Sequence, residues 1–324
     1  MSVSDKQKPI ETGIGPRPEP SEILQGIDLS GKTALVTGGH SGIGKETVRA
    51  LRDAGAHVHV PARDTARATK ELDSILEPSH IGHMDLSDLT SIARFSEDFL
   101  SRHGNIDILI ANAGVMACPE QRTAQGWEWQ IGVNHFGHFA LIENLRDGLT
   151  AGDGARVVTL SSVGHRISGI DFDDMHYNTR PYEKWQAYGQ SKTAKSLLAV
   201  ELQARYGEQG IEAFSVHPGG IFTPLQRHLP NEEMVVLGWT TEDGKPSELA
   251  AAGFKTPAQG AGTSLWAATS PELNGLGGVY CEDCNIAALK APDADGYDGV
   301  RQWAVDQEIA AKLWDVTQKA IADA

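Results

Sequence analysis

Apolar residues along the chain follow two alternating patterns. Short β-branched runs, among them TALVTG, HVHVPA and IDILIANAG, alternate with stretches whose apolar residues recur every three or four positions, such as GKETVRALRDAG and LTSIARFSEDFLSRHG. The first pattern predicts buried strands and the second amphipathic helices. Seven such strands separated by helices predict a single-domain α/β fold: a doubly wound, seven-stranded parallel sheet with helices on both faces.

The pattern also predicts where the domain begins and where its long connections lie. Residues 1–28 are rich in Pro, Gly and charge and have no period, so we expect a flexible N-terminal arm before a domain spanning 29–324. Two connections, 165–184 and 219–247, are unusually long and follow the fifth and sixth strands. Doubly wound sheets bind ligands at these strand ends, so we expect both to be substrate loops. The run from 300 to 322 predicts a C-terminal helix that closes the domain.

A glycine-rich turn follows the first predicted strand. In ALVTGGHSGIGKE, Gly38, Gly42 and Gly44 lie between that strand and the first helix. Glycine has no side chain, so a diphosphate can approach the backbone there and meet the positive end of the helix. In this βαβ context the turn predicts a dinucleotide site.

The end of the second strand indicates which dinucleotide binds. Folds that bind NAD place an acid there, about 20 residues after the glycine turn. Here Ala62 occupies that place and Arg63 follows it. A guanidinium fits a phosphate dianion, which favours NADP over NAD. The alternative is that Arg63 is a surface residue paired with Asp64.

Three further residues are candidates for the nucleotide end of the site. His40 and Arg67 are additional candidates for the phosphate, and Asp85 is a candidate partner for the adenine amino group. Asp85 has an alternative role as the cap of the next helix.

The stretch YGQSK carries a chemically useful pair. Tyr188 and Lys192 are four residues apart, which places both side chains on one face of a helix. A phenol with an ordinary pKa near 10 must be acidified by about 3 units to exchange protons near neutral pH. Lys192 and an oxidised nicotinamide, both cationic, would together lower the pKa of Tyr188. The alternative is an ordinary helix face.

Polar residues follow or interrupt other apolar runs. Ser161 and Ser162 end the VVTLSS strand, where a hydroxyl can donate to a substrate carbonyl, although serine is also a common loop residue. ANAG, residues 111–114, ends the fourth strand, where the backbone would pass close to the cofactor. Asn134 stands within an apolar helical run, so it needs hydrogen-bond partners there.

Together these motifs resemble the short-chain dehydrogenase/reductase family in its single-domain type, with a Rossmann fold. TGGHSGIG, NAG, the Asn of VNHFGHF, the strand-end Ser, YGQSK and PGGIFT occur in the family's order from about Lys32 to Tyr280. GKET, ARD and NHFGHF are most similar to the branch of retinol dehydrogenases and protochlorophyllide reductases, which generally use NADP.

The resemblance implies a role for each matching residue. Tyr188 would be the acid/base, Lys192 would hold the nicotinamide ribose and lower the Tyr pKa, and Ser162, with Ser161 as the fallback, would orient the carbonyl. Asn134 would anchor a water that carries protons from Lys192 towards solvent. The cofactor would contact these two catalytic residues, Tyr188 and Lys192, together with Gly38, His40, Ser41, Gly42, Ile43, Gly44, Arg63, Asp85, Leu86, Asn112, Ala113, Gly114, Pro218, Gly219, Ile221 and Thr223.

Composition narrows the remaining choices. A formal net charge of −15 disfavours binding to nucleic acid or anionic lipid. The three cysteines are too few for a disulfide framework, and no signal peptide or membrane span is evident, so we expect a cytoplasmic protein. CEDC offers only two metal ligands, so Cys281 and Cys284 are expected to be buried thiols, and no metal is expected.

The two long loops carry the expected substrate walls. Tyr177, Tyr182 and Trp185 come from the first, and the second holds EEMVVLGW, a candidate lid. Such walls fit an apolar carbonyl compound or alcohol, although these side chains would equally fill a core beneath the loops. The favoured function is NADP(H)-dependent carbonyl reduction or alcohol oxidation. The alternatives are reduction of a carbon–carbon double bond and a non-catalytic NADP-sensing regulator. Relatives often pair through the helices carrying Asn134 and Tyr188, and monomer and homo-oligomer both remain open.

Overall fold

A computed structural model describes residues 3–324. Its strands are β1 Thr33–Val36, β2 His57–Ala62, β3 Ile81–His83, β4 Ile108–Ala111, β5 Ala155–Leu160, β6 Ile211–His217, β7 Tyr280–Glu282, β8 Asn285–Ile286, β9 Leu289–Lys290 and β10 Val300–Arg301. Its α-helices are α1 Val3–Lys6, α2 Pro20–Ile23, α3 Gly42–Asp53, α4 Thr65–Leu72, α5 Leu89–His103, α6 Trp129–Ile131, α7 Gly137–Asn144, α8 Arg146–Leu149, α9 Lys184–Tyr206, α10 Asn231–Val236, α11 Glu248–Gly253, α12 Pro257–Thr269 and α13 Gln307–Ala322. One π-helical turn, Gly132–Phe136, joins α6 to α7.

The main sheet has the order β3-β2-β1-β4-β5-β6-β7-β8, and β1 pairs in parallel with both β2 and β4. The chain therefore reverses its direction of winding between β1 and β4, the place where doubly wound folds bind ligands. The predicted fold class is confirmed.

The strand count differs from the predicted seven. The main sheet has eight strands because the two-residue β8 pairs antiparallel with β7. Asp283 and Cys284 make the turn between them, both with positive φ, +49° and +55°. A strand this short carries no alternation of apolar and polar residues, so the sequence pattern does not reveal it.

Alternation along the central strands separates two cores. Ala34 and Val36 face α3 and α12, whereas Leu35 between them packs in the cluster with α5 and α7. Both faces of the sheet are therefore buried, as a parallel sheet requires. The side chains after the last residue of each strand meet at one edge, where the candidate site lies.

The N-terminal segment is packed against the domain, contrary to the expected flexible arm. The Gln7 side chain donates to the carbonyls of Tyr280 and Ala287 at 2.8 and 2.7 Å and accepts from the Tyr280 amide at 2.8 Å. Ile10 exchanges two hydrogen bonds with the Asn285 side chain. Because these contacts run from single polar side chains to backbone groups, they leave no hydrophobic period in the sequence.

The closing helix begins later than predicted. Residues 300–304 form β10 and a 3₁₀ turn, and α13 starts after Asp306, whose carboxylate caps the amides of Glu308 and Ile309. The ring of Trp314 packs at 4.5 Å from Phe139 and 5.9 Å from Tyr206. Helix α13 therefore covers one face of α7 and α9.

Candidate active site

The glycine turn at the start of α3 is closely packed. Gly38 and Gly42 have φ of +65° and +52°, which side-chain-bearing residues rarely adopt. A Cβ on Gly44 would lie 2.4 Å from the Gly38 carbonyl oxygen and 2.6 Å from Asn112 Nδ2. Asn112 Nδ2 in turn donates to the Thr37 carbonyl at 2.8 Å. The turn after β1 and the strand end of β4 are thus held together by contacts that only glycine permits.

A buried histidine, not predicted as a site residue, links this turn to Asn134. Burial holds the pKa of His138 well below its ordinary value, so the ring is neutral. Its Nδ1 lies 3.0 Å from the Asn134 carbonyl, which can only accept, so Nδ1 carries the proton. The Thr37 hydroxyl therefore donates to Nε2, 2.9 Å away, and accepts from the Ala113 amide. The spacing of VNHFGHF gave a signal for this contact, since His138 stands one helical turn after Asn134.

Asn134 lies within the π-helical turn and is completely buried. Its side chain accepts from the Val115 amide at 2.9 Å and donates to the Val115 carbonyl and the Ser191 hydroxyl at 3.0 and 2.9 Å. The amide group thereby fixes the backbone that follows Gly114. The water-anchoring role implied by the family resemblance stays a prediction.

The two serines after β5 have different surroundings. Ser161 is buried, donates to the Lys192 carbonyl at 2.8 Å and accepts from Ser196 at 2.8 Å. Ser162 is half-buried, accepts from the Gly164 amide at 3.0 Å, and its hydroxyl reaches the phenol of Tyr188. Of these two serines, Ser162 is therefore the one whose hydroxyl lies near the Tyr188 phenol.

A second buried histidine fixes the backbone of Ser162. Burial lowers the pKa of His165 to about 4, and its Nδ1 donates to the Ser162 carbonyl at 2.7 Å. The Arg301 amide donates to Nε2 at 3.1 Å. The segment after β9 thus supports the serine from outside the predicted motifs.

Tyr188 and Lys192 lie on one face of α9, with Lys192 Nζ 5.6 Å from the phenol ring centre. The amine donates to the Leu160 carbonyl at 3.0 Å. A Cβ on Gly114 would lie 3.6 Å from this nitrogen, so the loop after β4 passes directly over it.

Burial dominates the protonation of both groups. It raises the pKa of Tyr188 to about 12, with a smaller opposing effect from the Ser162 hydroxyl, and lowers the pKa of Lys192 to about 8. Among the protein's own groups burial has the largest effect on the phenol, and the joint lowering of its pKa by Lys192 and an oxidised nicotinamide stays a prediction. Desolvation exceeds the attraction of one nearby amine.

The loop after β6 borders the glycine turn. A Cβ on Gly42 would lie 3.3 Å from the Thr223 side chain. Ile43 and Ile221 meet over Gly260 of α12.

Gly219 has φ +100° and lies against the stem of Lys255, whose amine pairs with Asp283 at 2.6 Å. Lys255 was not predicted as a site residue, because its link to this loop is visible only in three dimensions. Pro218 and Gly219 are partly exposed beside this contact.

The predicted nucleotide end is open and basic. The Arg63 side chain is 70% exposed and lies 4.0 Å from Asp85, while Asp64 instead caps α4 by accepting from the Arg67 amide. Asp85 accepts from both the amide and the hydroxyl of Ser87, and it is Asp88 that caps α5. Within residues 3–324 the structure therefore shows no ion pair between Arg63 and Asp64. Nor does Asp85 cap a helix there.

Three further residues predicted to contact the cofactor are His40, Ser41 and Leu86. His40 and Ser41 directly precede the N-terminus of α3. The Nδ1 atom of His40 is buried and has no hydrogen-bond partner within residues 3–324. The Leu86 carbonyl lies against Gly137 of α7, where a Cβ would be 2.1 Å from it.

An apolar cluster packs around Tyr188. Its other members are Met116, Ala117, Trp185, Leu225, Leu229, Met234, Leu237 and Trp239. Of the aromatic residues predicted for the substrate walls, Trp185 belongs to this cluster. Tyr182 instead hydrogen-bonds to Gln130 and the Cys118 carbonyl, and Tyr177 packs on Tyr182.

The cysteines take no part in this site. Cys281 and Cys284 are free and buried, and burial raises the pKa of both thiols. Residues 3–324 contain no group of three or more His, Cys, Asp or Glu side chains arranged to hold a metal ion. No helix in the same range is both long and apolar enough to cross a bilayer.

The fold and this site define an oxidoreductase class. The short-chain dehydrogenase family model matches residues 32–234, and the chain belongs to the short-chain dehydrogenase/reductase family. It is an NAD(P)-dependent enzyme of that family.

Two relatives and one crystal structure are similar to the chain over most of its length. The chain is 42% identical to a "Probable oxidoreductase" of Streptomyces lividans over 89% of its length and 97% of the relative's. It is 36% identical to Retinol dehydrogenase 11 of Mus musculus, over 90% of this chain and 86% of that protein. A crystal structure of an uncharacterized protein from Mycobacterium paratuberculosis superposes with a TM-score of 0.68 at 30% identity, covering 91% of this chain and 95% of that one.

Proposed function

We propose that the protein is an NADP(H)-dependent oxidoreductase of apolar small molecules, acting at a carbonyl or alcohol carbon with Tyr188 as the acid/base. One observation carries the proposal. The Ser162 hydroxyl lies within hydrogen-bonding reach of the Tyr188 phenol, the Tyr188 ring packs in the apolar cluster, and Lys192 lies on the same face of α9.

The residues at the glycine turn and at the end of β2 fit a dinucleotide. Gly42 and Gly44 lie in the first turn of α3, and a helix N-terminus of this kind receives a diphosphate. The unpartnered Nδ1 of His40 and the exposed guanidinium of Arg63 are available for a phosphate on the ribose. Ala62, at the end of β2, offers no carboxylate to a ribose hydroxyl. When bound, the nicotinamide supplies the hydride.

The protein's own groups manage the proton and the carbonyl. Ser162 donates to the carbonyl oxygen and fixes its position beside the phenol. Tyr188 gives its proton to that oxygen in reduction and takes it back in oxidation. A phenol with a pKa of about 12 holds its proton firmly, so added positive charge near the ring favours release. Lys192, 5.6 Å from the ring centre, contributes that charge when protonated.

We expect the apolar cluster to favour apolar compounds. A substrate that reaches Tyr188 would contact its methionine, leucine and tryptophan side chains, and each such contact would replace a contact with water. Lys184 and Glu233, at its edge, neutralise each other at 2.5 Å. A charged metabolite would have to lose its hydration there without a partner.

A turnover panel tests this function. Ketones, aldehydes and an enone are assayed with NADPH and with NADH, using wild type and Tyr188→Phe. We expect carbonyl turnover with NADPH, reduced by about 10²- to 10⁴-fold in the variant. Equal rates for the two proteins on every active substrate would refute the assigned acid/base, and turnover of the enone alone would favour double-bond reduction.

Arg63→Ala tests the cofactor preference. Loss of a charge-assisted contact should raise the Kd for NADPH by about 10- to 100-fold and leave that for NADH nearly unchanged. Arg94→Ala, at an exposed position of α5, is the matched control. Equal losses for both nucleotides would contradict the preference for NADP.

A further inference from the structure

The segment 224–239, here called the lid, packs over Tyr188. It contains a 3₁₀ turn, Pro224–His228, and the six-residue α10. An isolated helix of this length is not stable in water, so its position depends on contacts with the rest of the protein. Its apolar side chains belong to the cluster around Tyr188.

Glu233 joins the lid to the catalytic helix through both carboxylate oxygens. Oε2 accepts from Lys184 Nζ at 2.5 Å, and Oε1 accepts from Trp185 Nε1 at 2.8 Å. The side chains of Lys184 and Glu233 are only 30% and 22% exposed. A partly shielded carboxylate with two charge-assisted bonds is held more firmly than a surface ion pair.

These partners lie close to the catalytic phenol. Lys184 and Trp185 are the first two residues of α9, and Trp185 precedes Tyr188 by one helical turn. The Trp185 ring lies edge-on to Tyr188 at 6.1 Å and to Trp239 of the lid at 6.3 Å. The Glu233 carboxylate therefore fixes the position of the lid relative to α9. It also fixes the orientation of the Trp185 ring beside Tyr188.

Aromatic contacts continue beyond the Trp185 ring. Trp239 is edge-on to Phe254 at 5.9 Å, and Phe254 lies 4.9 Å from Phe222. Aromatic side chains prefer edge-on or offset contacts with other rings, which add to the gain from burial alone. A substrate that carries a planar ring would make such contacts with Trp185, whereas a short linear carbonyl compound would not.

We propose that Glu233 is a latch: it fastens the lid to α9 and fixes the Trp185 indole as the wall that orients ring-bearing apolar carbonyl compounds towards Tyr188. This inference rests on the proposed function for its substrate. Glu233 is a positioning residue, since it touches Lys184 and Trp185 rather than the reacting atoms.

Amide hydrogen exchange tests the latch without any substrate. Glu233→Leu removes both bonds, and Glu232→Leu changes an exposed neighbour that has no such contact. We expect exchange across 229–239 to accelerate by at least about 10-fold in Glu233→Leu and to be unchanged in Glu232→Leu, with the exchange of β4 and β5 unaffected in both. Unchanged exchange in a folded Glu233→Leu protein overturns the latch.

Steady-state kinetics test the substrate part. For a ring-bearing ketone, Glu233→Leu should raise KM by about 10-fold or more with a smaller change in kcat, and KM for a short aliphatic aldehyde should change less than 3-fold. Trp185→Phe keeps a ring but loses the N–H donor, so it should show a weaker form of the same pattern. Equal KM changes for both substrates would overturn the orienting role.

The two proposals fail differently. A wild-type protein that turns over no carbonyl compound overturns the proposed function and the substrate part of this inference together. The exchange experiment still decides whether Glu233 fastens the lid.

Discussion

Replacing Gly44 with alanine tests whether the glycine turn is shaped by close packing. The new Cβ would lie 2.4 Å from the Gly38 carbonyl oxygen and 2.6 Å from Asn112 Nδ2. An ordinary carbon–oxygen contact is about 3.3 Å, so one side must move by about 0.9 Å. Both neighbours resist, because one is backbone and the other donates to the Thr37 carbonyl at 2.8 Å.

The cost follows from these contacts. Overpacking costs about 1 to 3 kcal/mol and a weakened buried hydrogen bond about 1 kcal/mol, against a gain of up to about 1 kcal/mol from removing a glycine from a helix. We therefore expect Gly44→Ala to lower the free energy of unfolding by about 1 to 3 kcal/mol. A shift near 1 Å should also weaken a hydrogen bond from the turn to the diphosphate, and because a bond to a charged group contributes about 1.5 to 3 kcal/mol, NADPH binding should weaken by about 10-fold or more.

Urea denaturation and NADPH fluorescence titration measure the two effects. Gly253→Ala is the matched control, since that glycine also lies in a helix and a Cβ there meets no atom within 4 Å. It should be neutral or stabilising, with unchanged nucleotide affinity. If Gly44→Ala behaved like Gly253→Ala in both measurements, the packing argument for the turn would be wrong.

Three other predictions concern packing and burial. The pKa of Lys192 is lowered by burial from 10.5 to about 8, so between these pH values the unfolded chain binds the proton that the folded protein lacks. The free energy of unfolding should therefore rise as pH increases across that window and fall as pH decreases across it. Lys192→Met should flatten this pH dependence in urea melts, and identical slopes for the two proteins would contradict the prediction. Trp314→Ala should cost about 3 to 5 kcal/mol of unfolding free energy by removing a ring packed on Phe139, and a loss below about 1 kcal/mol would show that α13 is loosely attached. Gln7→Ala should cost about 1 to 3 kcal/mol because it leaves backbone groups of Tyr280 and Ala287 with fewer partners, whereas no change in the urea midpoint would mean that the N-terminal segment contributes nothing.

The parts of the molecule foreseen from sequence are those with a local pattern. Gly38, Gly42 and Gly44 are recognisable because a tight turn at a helix start restricts residue type, and Tyr188 and Lys192 because their spacing is helical. The parts that were missed depend on contacts between distant segments.

Particular residues show this limit. Gln7 and Asn285 hold the N-terminal segment through single side chains, so no period marks it as ordered. His165 is tied to the Ser162 carbonyl and to Arg301, a residue 136 positions away. Burial raises the pKa of Tyr188, and the sequence does not reveal how completely the phenol is buried.

Helix α13 has a consequence for self-association. Its Trp314 ring occupies the groove beside Phe139 and Tyr206, and Thr317 lies 2.8 Å from His135 of the π-helical turn. A second copy of the chain cannot approach that face of α7 and α9 unless α13 first detaches. A dimer that leaves α13 in place must therefore use a different surface of the protein.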